Sequence, residues 1–456
     1  MSEKRLIEEQ DRVVRDALGA NRLGRRDFLN VAAWTAAGVA SAAASTGALA
    51  QTAPATPAAA PASAPPKRII VKDDSQLINI GATVRTGPWH RFDSLVTPIE
   101  QFYVRNHYPT PTVDSHPQLR PENWRLQIHG DSVERPVTLT YEDLLRLPSR
   151  SIFATMECHG NGRTLFWEQQ KMKNVAGGNW GMGAVGLAEW RYVPMSEIFN
   201  LVGLRANALE VLFWSGVDGA GDIGRPMPVR DILDRQNDIG IAFRMNGQDL
   251  GPDHGFPVRM LVPGWGGAAS TKWVTEIKVS PNRFWTRLNT RGEVFIGPEY
   301  AVPTPGPNDE FRSGITAKDI RGTPVGWMNV KSTLTVPLVL RDSPSIPANY
   351  PLQKGQLPTV QVGQRLMTGY AWAPQGIRRV EYQINGGGWT QARIVEPNLG
   401  RYTWVRFDFP WVASRGVHTI ETRATDRAGN TQPATVPFNE LGVSNNAIPR
   451  FEIQAV

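Results

Sequence analysis

The sequence predicts an α+β domain over residues 67–325 followed by an Ig-like β-sandwich over residues 326–456. Three observations support this prediction. The chain has 456 residues, a length that suits two or three domains. Its 43 glycines and 36 prolines favour short strands and turns over long helices. Helix-like and strand-like apolar segments mix in the first part, whereas a strict alternation of apolar and polar residues dominates the second.

Strand and helix patterns alternate in the first part without forming a repeating βαβ array. Thr140 is a plausible N-cap for the helix in VTLTYEDLLRLP. The Asn-Gly pair in IAFRMNGQDL indicates a hairpin. The predicted segments are a strand at 125–130, a strand and short helix at 137–148, a buried strand at 208–216, a helix at 229–236, the hairpin at 241–250, and a strand entering a glycine-rich loop at 258–267.

The second part consists of alternating segments separated by Gly, Pro and Asn turns. TVQVGQRLMTGYAW, RRVEYQINGGGWTQARIV, RYTWVRFDF and GVHTIETRATDRAGN all have this pattern. This part contains no cysteine pair and no cluster of catalytic residue types, so the sequence alone predicts a structural or associative role. We find no repeated period of 20–50 residues in the sequence, so neither a solenoid nor a propeller is expected.

Charge and cysteine content exclude several classes of protein. The formal net charge is +7, but no dense Lys/Arg block occurs, so a nucleic-acid partner is not expected. Cys158 is the only cysteine, which excludes a disulfide framework and multi-cysteine zinc or iron–sulfur sites within this chain. We also expect no haem in this chain, because covalent c-type attachment needs Cys-x-x-Cys-His.

The first 50 residues resemble a twin-arginine export signal. Arg25 and Arg26 precede an Ala-rich, weakly apolar stretch that ends in Ala48-Leu49-Ala50, a small-x-small cleavage pattern. That stretch is too weakly apolar to predict a stable membrane span. The Pro/Ala-rich residues 51–66 are predicted to be an extended linker. The sequence therefore predicts a periplasmic protein that is exported after folding.

Cys158 lies in ATMECHGNGR, between a strand pattern and a glycine-rich turn. Its local chemistry leaves three interpretations open: an inert buried thiol, a ligand for a soft metal, or a nucleophile activated by His159. Strand geometry disfavours the third interpretation, because adjacent residues such as Cys158 and His159 point in opposite directions on a strand. The glycines are expected to let the backbone approach a bound group, because no Cβ intrudes.

Several motifs together resemble the sulfite oxidase family of molybdenum enzymes, from about residue 88 to the C-terminus. In chain order they are FYVRNHYPTP (102–111), MECHGNGR (156–163), NWGMGAVGLAEW (179–190), MNGQDLGPDHGFPVRMLVPGWGGAASTKW (245–273), and GYAW, GGGW and ATDRAGNTQP in the tail. The resemblance implies a sulfite oxidase-type molybdopterin-binding domain, with the sandwich as its dimerisation-type domain.

The resemblance also implies roles for individual residues. Cys158 supplies the protein thiolate to molybdenum, whose other sulfur ligands come from a pyranopterin. Arg105 faces the substrate and the cofactor. The further positions implied to contact the cofactor are Asn106, His107, Asp218, His254, Arg259, Ser270, Thr271 and Lys272. These residue types suit a phosphate and a polar fused ring.

Arg163 and Trp180 fall where the family places a second anion-binding arginine and an aromatic wall of the substrate pocket. Two arginines near the metal would bind a small oxyanion such as sulfite. Two positions depart from the family pattern. The active-site Tyr of animal and plant sulfite oxidases has no counterpart after Asp218, where the chain offers Asp222 or Ile223. His159 replaces a small residue and either gates access to the metal or points into the protein.

The resemblance implies a sulfite dehydrogenase that passes electrons to a c-type cytochrome, as a homodimer or as a heterodimer with a cytochrome subunit. Two other enzyme hypotheses use the same centre. One is a sulfane dehydrogenase subunit of a thiosulfate-oxidising complex, and the other is a sulfoxide or oxyanion reductase. The non-enzyme alternative is a secreted Ig-like binding module with a degenerate α+β domain.

Overall fold

The computed structural model describes residues 72–217, 223–395 and 399–456, which belong to one compact unit. The predicted signal peptide, the predicted linker and Asp218 lie outside the described residues. The strands of the first part are β1 (Ile78–Gly81), β2 (Val84–Thr86), β3 (Val104–Arg105), β4 (Arg125–His129), β5 (Val137–Thr140), β6 (Arg150–Glu157), β7 (Val185–Pro194), β8 (Glu210–Ser215), β9 (Gly224–Pro228), β10 (Gly240–Met245), β11 (Gln248–Asp249), β12 (Arg259–Leu261), β13 (Val274–Ser280), β14 (Phe284–Trp285), β15 (Val294–Phe295), β16 (Glu310–Phe311) and β17 (Thr323–Pro324).

Helices in the described part of the chain are short. The α-helices are α1 (Tyr141–Arg146), α2 (Thr164–Glu168), α3 (Met195–Val202) and α4 (Val229–Leu233), and an irregular helical segment covers Leu288–Gly292. Single 3₁₀ turns lie at Trp89–Arg91, Ile99–Gln101, Pro117–Leu119, Arg235–Asn237, Pro252–His254, Gly267–Ala269 and Ala317–Asp319. No described helix has both the length and the apolar character needed to cross a bilayer.

Two five-stranded sheets form the frame of the first part. One has the order β6-β7-β10-β11, and β12 also pairs with β10. The other has the order β5-β4-β13-β8-β9, in which only the β4–β13 pair is parallel. A smaller antiparallel sheet, β1-β2-β3, delivers Arg105 at its end. This mixture of sheets and short helices confirms the predicted α+β domain.

The second part is a β-sandwich. Its strands are β18 (Lys331–Leu334), β19 (Thr359–Val360), β20 (Gly363–Trp372), β21 (Ile377–Ile384), β22 (Thr390–Gln391), β23 (Arg393–Ile394), β24 (Val405–Ala413), β25 (Gly416–Asp426) and β26 (Arg450–Ala455). They form two sheets, of order β18-β20-β24-β23 and β19-β26-β25-β21-β22. The predicted Ig-like sandwich is therefore confirmed, while the residue numbers of the domain boundaries stay predictions.

Local signals in the sequence account for several of these elements. The Thr140 hydroxyl accepts from the backbone N–H of Asp143, whose carboxylate accepts from the N–H of Thr140, a capping box at the start of α1. The β10–β11 hairpin turns at Asn246 and Gly247, both with positive φ. The helix predicted over 229–236 is shorter, because Asp234 leaves helical geometry and its carboxylate accepts from Gln236 N–H to start a new turn.

The apolar cores of the two parts are continuous. The core between the two sandwich sheets, which includes Trp372 and Trp404, also contains Trp89, Leu165 and Leu187 from the first part. Leu165 belongs to α2, the helix that begins just after residues 158–163, which we call the Cys158 loop. The sandwich thus packs directly behind the loop that carries the cysteine.

Candidate functional site

Cys158 follows β6 directly and begins the turn that leads into α2. Its backbone N–H donates to Ala184 O at 2.9 Å, and its carbonyl accepts from the N–H of Asn161 at 2.9 Å. The Asn161 side chain continues this network by accepting from Ala184 N–H at 2.9 Å. The thiol is 7% exposed and accepts from Gly160 N–H at 3.5 Å. The loop therefore fixes the sulfur at the end of a strand.

The glycines of this loop make room for the protein rather than for a bound group, which corrects the expectation from sequence. A Cβ on Gly160 would lie 2.5 Å from Cδ1 of Trp180. A Cβ on Gly162, where φ is +84°, would lie 3.1 Å from the carbonyl oxygen of Asn445. Close packing against an indole and against the sandwich requires glycine at these two positions.

Cys158 lines a cavity that is open to solvent and whose empty volume, with part of that solvent included, is about 670 Å³. Most of the residues that the sequence indicated line the same cavity. They are Arg105, Asn106, His107, His254, Arg259, Ser270, Thr271 and Lys272. The remaining lining residues are Phe102, Tyr103, Met156, Ile223, Gly267, Ala268, Trp273, Leu288 and Glu293. Segments far apart in sequence thus converge on one volume, which suits a ligand larger than a metal ion alone.

Arg105 and His107 form a fixed pair on one side of the cavity. The guanidinium donates from Nη1 to Asn106 O at 2.5 Å and from Nη2 to His107 Nδ1 at 3.1 Å. Because a guanidinium only donates, His107 Nδ1 is the acceptor and the ring proton sits on Nε2. Burial, followed by the charge of Arg105, lowers the pKa of His107 to about 3. His107 is therefore a neutral donor toward its other side.

Lys272 lies in a polar nest that also contains Asn106 and Asp253. Its Nζ donates to Asn106 Oδ1 and, at 2.5 Å, to the carbonyl oxygen of Asp253. Asn106 in turn donates to Asp253 Oδ1 at 3.1 Å. Burial, followed by the charge of Arg259, holds the pKa of Lys272 well below its ordinary value. An anionic group beside Lys272 would restore its charge, as a phosphate does.

Arg259 and His254 form the inner wall. The Arg259 guanidinium donates to the carbonyl oxygens of His254 at 3.2 Å and Ser270 at 3.0 Å, and it stacks over Trp190 at 5.3 Å. It thereby orients the backbone of both lining segments. Burial, followed by the charge of Lys72, lowers the pKa of His254, so its ring is neutral. The buried hydroxyl of Thr271 has no hydrogen-bond partner among the described residues.

The structure weighs against an activated thiolate at Cys158. Burial, followed by the negative charge of Glu293, raises the pKa of the Cys158 thiol to about 11. His159 does not approach the sulfur. Its Nδ1 lies 3.1 Å from Glu293 Oε2 and its Nε2 lies 3.3 Å from Gly326 O. His159 therefore points into the protein, one of the two alternatives that the sequence left open.

Glu293 is a lining residue that no sequence motif indicated. One carboxylate oxygen accepts from His159, and the other has no hydrogen-bond partner within the described ranges. Although burial raises the pKa of Glu293, the hydrogen bond and charge of His159, with His107 and Arg105 behind them, lower it overall. Glu293 is 134 residues from its partner in sequence, so only the tertiary fold reveals this contact.

Arg163 and Trp180 are buried behind the Cys158 loop and do not line the cavity. Arg163 Nε donates to Leu441 O at 2.9 Å, and Nη1 donates to Gly178 O at 3.1 Å. Trp180 packs edge to face against Tyr103, with ring centroids 6.2 Å apart. Both side chains support the loop, and their direct contact with a substrate stays a prediction.

Ile223 lines the cavity at one of the two positions that the sequence offered in place of the family's Tyr. Leu288 adds a second apolar side chain. The cavity lining instead includes Tyr103, which lies two residues before Arg105 in FYVRNH. Its place in the same motif is a signal that sequence reasoning could have used.

Two family models match the chain. The oxidoreductase molybdopterin binding domain matches residues 107–287, and the Mo-co oxidoreductase dimerisation domain matches residues 349–456. The chain is 29% identical to mitochondrial sulfite oxidase of Rattus norvegicus over 380 residues, which cover 80% of this chain and 62% of that protein.

The chain belongs to the sulfite oxidase family. It is also 31% identical to an NADH nitrate reductase of Ulva prolifera over 78% of this chain and 40% of that protein. The crystal structure of the sulfane dehydrogenase SoxCD from Paracoccus pantotrophus superposes with a TM-score of 0.63 at 25% identity, over 82% of this chain and 86% of that chain. The chain spans about 40% to 62% of the length of these curated relatives.

The two matched domains are those of molybdopterin-dependent oxidoreductases, and the cavity fits that cofactor. Lys272 with lowered pKa, the unpartnered Thr271 hydroxyl and the lone thiol of Cys158 are groups that a phosphate, a polar ring and a soft metal would satisfy. Among the described residues no three His, Cys, Asp or Glu side chains cluster as metal ligands. The Cys158 thiolate suits a soft metal that brings further sulfur ligands with it.

Proposed function

We propose that the enzyme oxidises sulfite to sulfate and passes the electrons to an external acceptor such as a c-type cytochrome. The observation that carries this proposal is the position of Arg105 in the same cavity as Cys158. Its described hydrogen bonds, to Asn106 O and His107 Nδ1, occupy two of the five N–H groups of the guanidinium. The others remain for a small oxyanion.

Different residues of the cavity would bind the substrate anion and the cofactor. Neutral His107 holds the guanidinium in place and offers its Nε2–H. Ile223 and Leu288 add apolar surface to the cavity, which strengthens a charge-assisted hydrogen bond. Cys158 would hold molybdenum, and Lys272, Thr271, His254 and Asn106 would hold the pyranopterin. When bound, the cofactor supplies two-electron oxygen-atom transfer.

Steady-state assays of the purified, molybdenum-loaded protein test this proposal. Sulfite, thiosulfate and an organic hydropersulfide would each be offered with ferricyanide or cytochrome c as acceptor, and nitrate with a reduced dye as donor. Sulfite is expected to give the highest kcat/KM. Preference for nitrate would favour the reductase alternative, and absence of sulfite-dependent acceptor reduction would refute the proposal.

Oxidation of a sulfane sulfur is the second candidate function. It is supported by the likeness to the sulfane dehydrogenase SoxCD, which covers most of both chains. Ile223 in the cavity supports it further, because an apolar wall accommodates a larger, less charged sulfur compound. A kcat/KM for the hydropersulfide well above that for sulfite would select this candidate.

We propose further that the protein is exported to the periplasm by the twin-arginine route, as Arg25 and Arg26 suggest. The match to a dimerisation domain supports an oligomer, either a homodimer or a heterodimer with a cytochrome subunit. Light scattering of the protein, with and without the cytochrome that its periplasm provides, distinguishes these assemblies. Replacement of both arginines by lysine should leave the protein in the cytoplasm.

A further inference from the structure

The cavity contains an unexpected negative charge. Glu293 lines it together with Cys158, Arg105 and His107. No ion pair joins Glu293 to Arg105 in the part of the chain that the structure describes, since Arg105 bonds to Asn106 O and His107 Nδ1 instead. A cation and an anion thus share this side of the cavity without neutralising each other by contact.

The surroundings keep the carboxylate in this position. Oε2 is held by His159, which is 4% exposed and does not line the cavity. His159 is held in turn by the carbonyl oxygen of Gly326. The His159 ring therefore lies on the far side of the Glu293 carboxylate from the cavity, and the carboxylate is the group that faces the cavity. The Glu293 side chain is 12% exposed, so little solvent screens it.

His159, Arg163 and Arg225 interact electrostatically with Glu293, but none of the three lines this cavity. Burial and the charge of Arg105 lower the pKa of His107 to about 3, so its ring is neutral. Arg225, also buried nearby, donates to the carbonyl oxygens of Leu288 and Val325 and faces the backbone. Arg105 is the lining cation that interacts electrostatically with Glu293. A substrate bound there meets a positive and a negative side chain.

We propose that Glu293 is a specificity-determining residue that penalises a second negative charge on the substrate. The enzyme would then take sulfur compounds with at most one negative charge, such as hydrogen sulfite or a hydropersulfide, in preference to dianions. This inference rests on the proposed function in that it assumes an anion binds at Arg105. It deepens that function by defining the charge of the substrate and by disfavouring retention of dianionic sulfate after turnover.

Two tetrahedral sulfur oxyanions test the inference by binding alone. Sulfate is a dianion, and methanesulfonate is a monoanion with the same tetrahedral head. Each anion would be titrated into oxidised, molybdenum-loaded wild-type protein and into Glu293→Gln at constant ionic strength. Binding would be measured as the rise in Tm with anion concentration. The glutamine oxygen still accepts from His159, so the substitution removes charge and keeps shape. Glu299→Gln, an exposed carboxylate outside the cavity, is the matched control.

Because each ligand charge contributes equally to the repulsion, sulfate should gain about fivefold in affinity in Glu293→Gln and methanesulfonate about twofold. Glu299→Gln should change neither affinity. Equal gains for both ligands, or none, would overturn the inference, as would a failure of either anion to bind any of the proteins. A wild-type enzyme that binds these anions but does not oxidise sulfite would refute the proposed function and leave the inference on Glu293 standing.

Discussion

At the scale of single residues, the site depends on how burial changes ordinary side-chain chemistry. Cys158 and Lys272 both line the cavity, and burial raises the pKa of the thiol and lowers that of the amine. Both shifts favour the neutral forms in the protein alone. A soft metal at Cys158 and a phosphate at Lys272 would favour the charged forms. Binding of the cofactor would therefore offset both pKa shifts.

The thiol of Cys158 should be unreactive in cofactor-free protein. A pKa of about 11 leaves it protonated at neutral pH, so alkylation by iodoacetamide should be slow and should accelerate up to about pH 11. The ordinary pKa of a thiol is lower, so the unfolded chain loses the Cys158 proton at a lower pH than the folded protein does. The free energy of unfolding therefore falls as the pH rises from the ordinary pKa to about 11. Mass spectrometry of the alkylated protein measures the rate. Fast labelling at pH 7 would instead indicate an activated nucleophile.

Arg105→Gln should weaken anion binding while the cofactor stays in place. Glutamine lacks the charge that attracts an oxyanion, so KM for sulfite should rise by about tenfold or more. Molybdenum content should match the wild type, because Lys272 contacts Arg105 through the backbone carbonyl oxygen, which the substitution keeps. Arg120→Gln, an exposed arginine, serves as the control. Unchanged kcat and KM would remove Arg105 from the substrate pocket.

At the scale of elements, the local patterns of the sequence were sufficient for most strands and turns. Thr140 with Asp143, and Asn246 with Gly247, act through neighbours a few residues away, so their sequence signals are complete. The motifs also brought Arg105, Asn106, His107, Cys158, His254, Arg259, Ser270, Thr271 and Lys272 to one cavity. Glu293 could not be found in this way, because its partner His159 is distant in sequence.

The same reasoning explains the misinterpreted glycines. A glycine-rich turn is visible in the sequence, but the neighbour that requires each glycine is not. The turn packs against Trp180 and against Asn445 of the sandwich, and both contacts depend on the tertiary fold. The short length of α4 has a local cause, the capping role of Asp234, which the period of apolar residues did not reveal.

Gly160→Ala should distort the Cys158 loop. The new Cβ would meet the Trp180 indole at 2.5 Å, and such overpacking costs about 1–3 kcal/mol of unfolding free energy. Denaturant unfolding and molybdenum content should both show a loss. Gly388→Ala, where a Cβ meets nothing within 4 Å, is the control and should behave as wild type. Equal stability of both variants would show that the loop adapts to the added methyl group.

At the scale of the whole molecule, the sandwich is part of the wall behind the active site. Lys331, the first residue of β18, donates to Glu157 Oε1 at 2.7 Å and to Asn161 O at 2.9 Å, on either side of Cys158 in sequence. Ser444 N–H donates to His159 O at 2.6 Å. The Cys158 loop is therefore held from the β-sandwich as well as from its own sheet.

Lys331→Met should destabilise the protein strongly. Its ion pair with Glu157 is nearly solvent-free, at 2% and 3% side-chain exposure, and loss of one partner leaves a buried charge at a cost of about 3–5 kcal/mol. Lys171→Met, which breaks an exposed pair with Asp342, should cost about 0–1 kcal/mol. Urea titrations compare the two variants. Similar, small losses for both would mean that the buried pair does not tie the loop to the sandwich.

The account as a whole depends on Cys158 as the protein ligand of molybdenum. X-ray absorption at the molybdenum edge tests this most directly, by comparing the wild-type holoenzyme with Cys158→Ser under the same loading conditions. The variant should retain molybdenum through the pterin and show one sulfur scatterer fewer than the wild type. An unchanged number of sulfur neighbours would contradict the assignment of Cys158 as ligand.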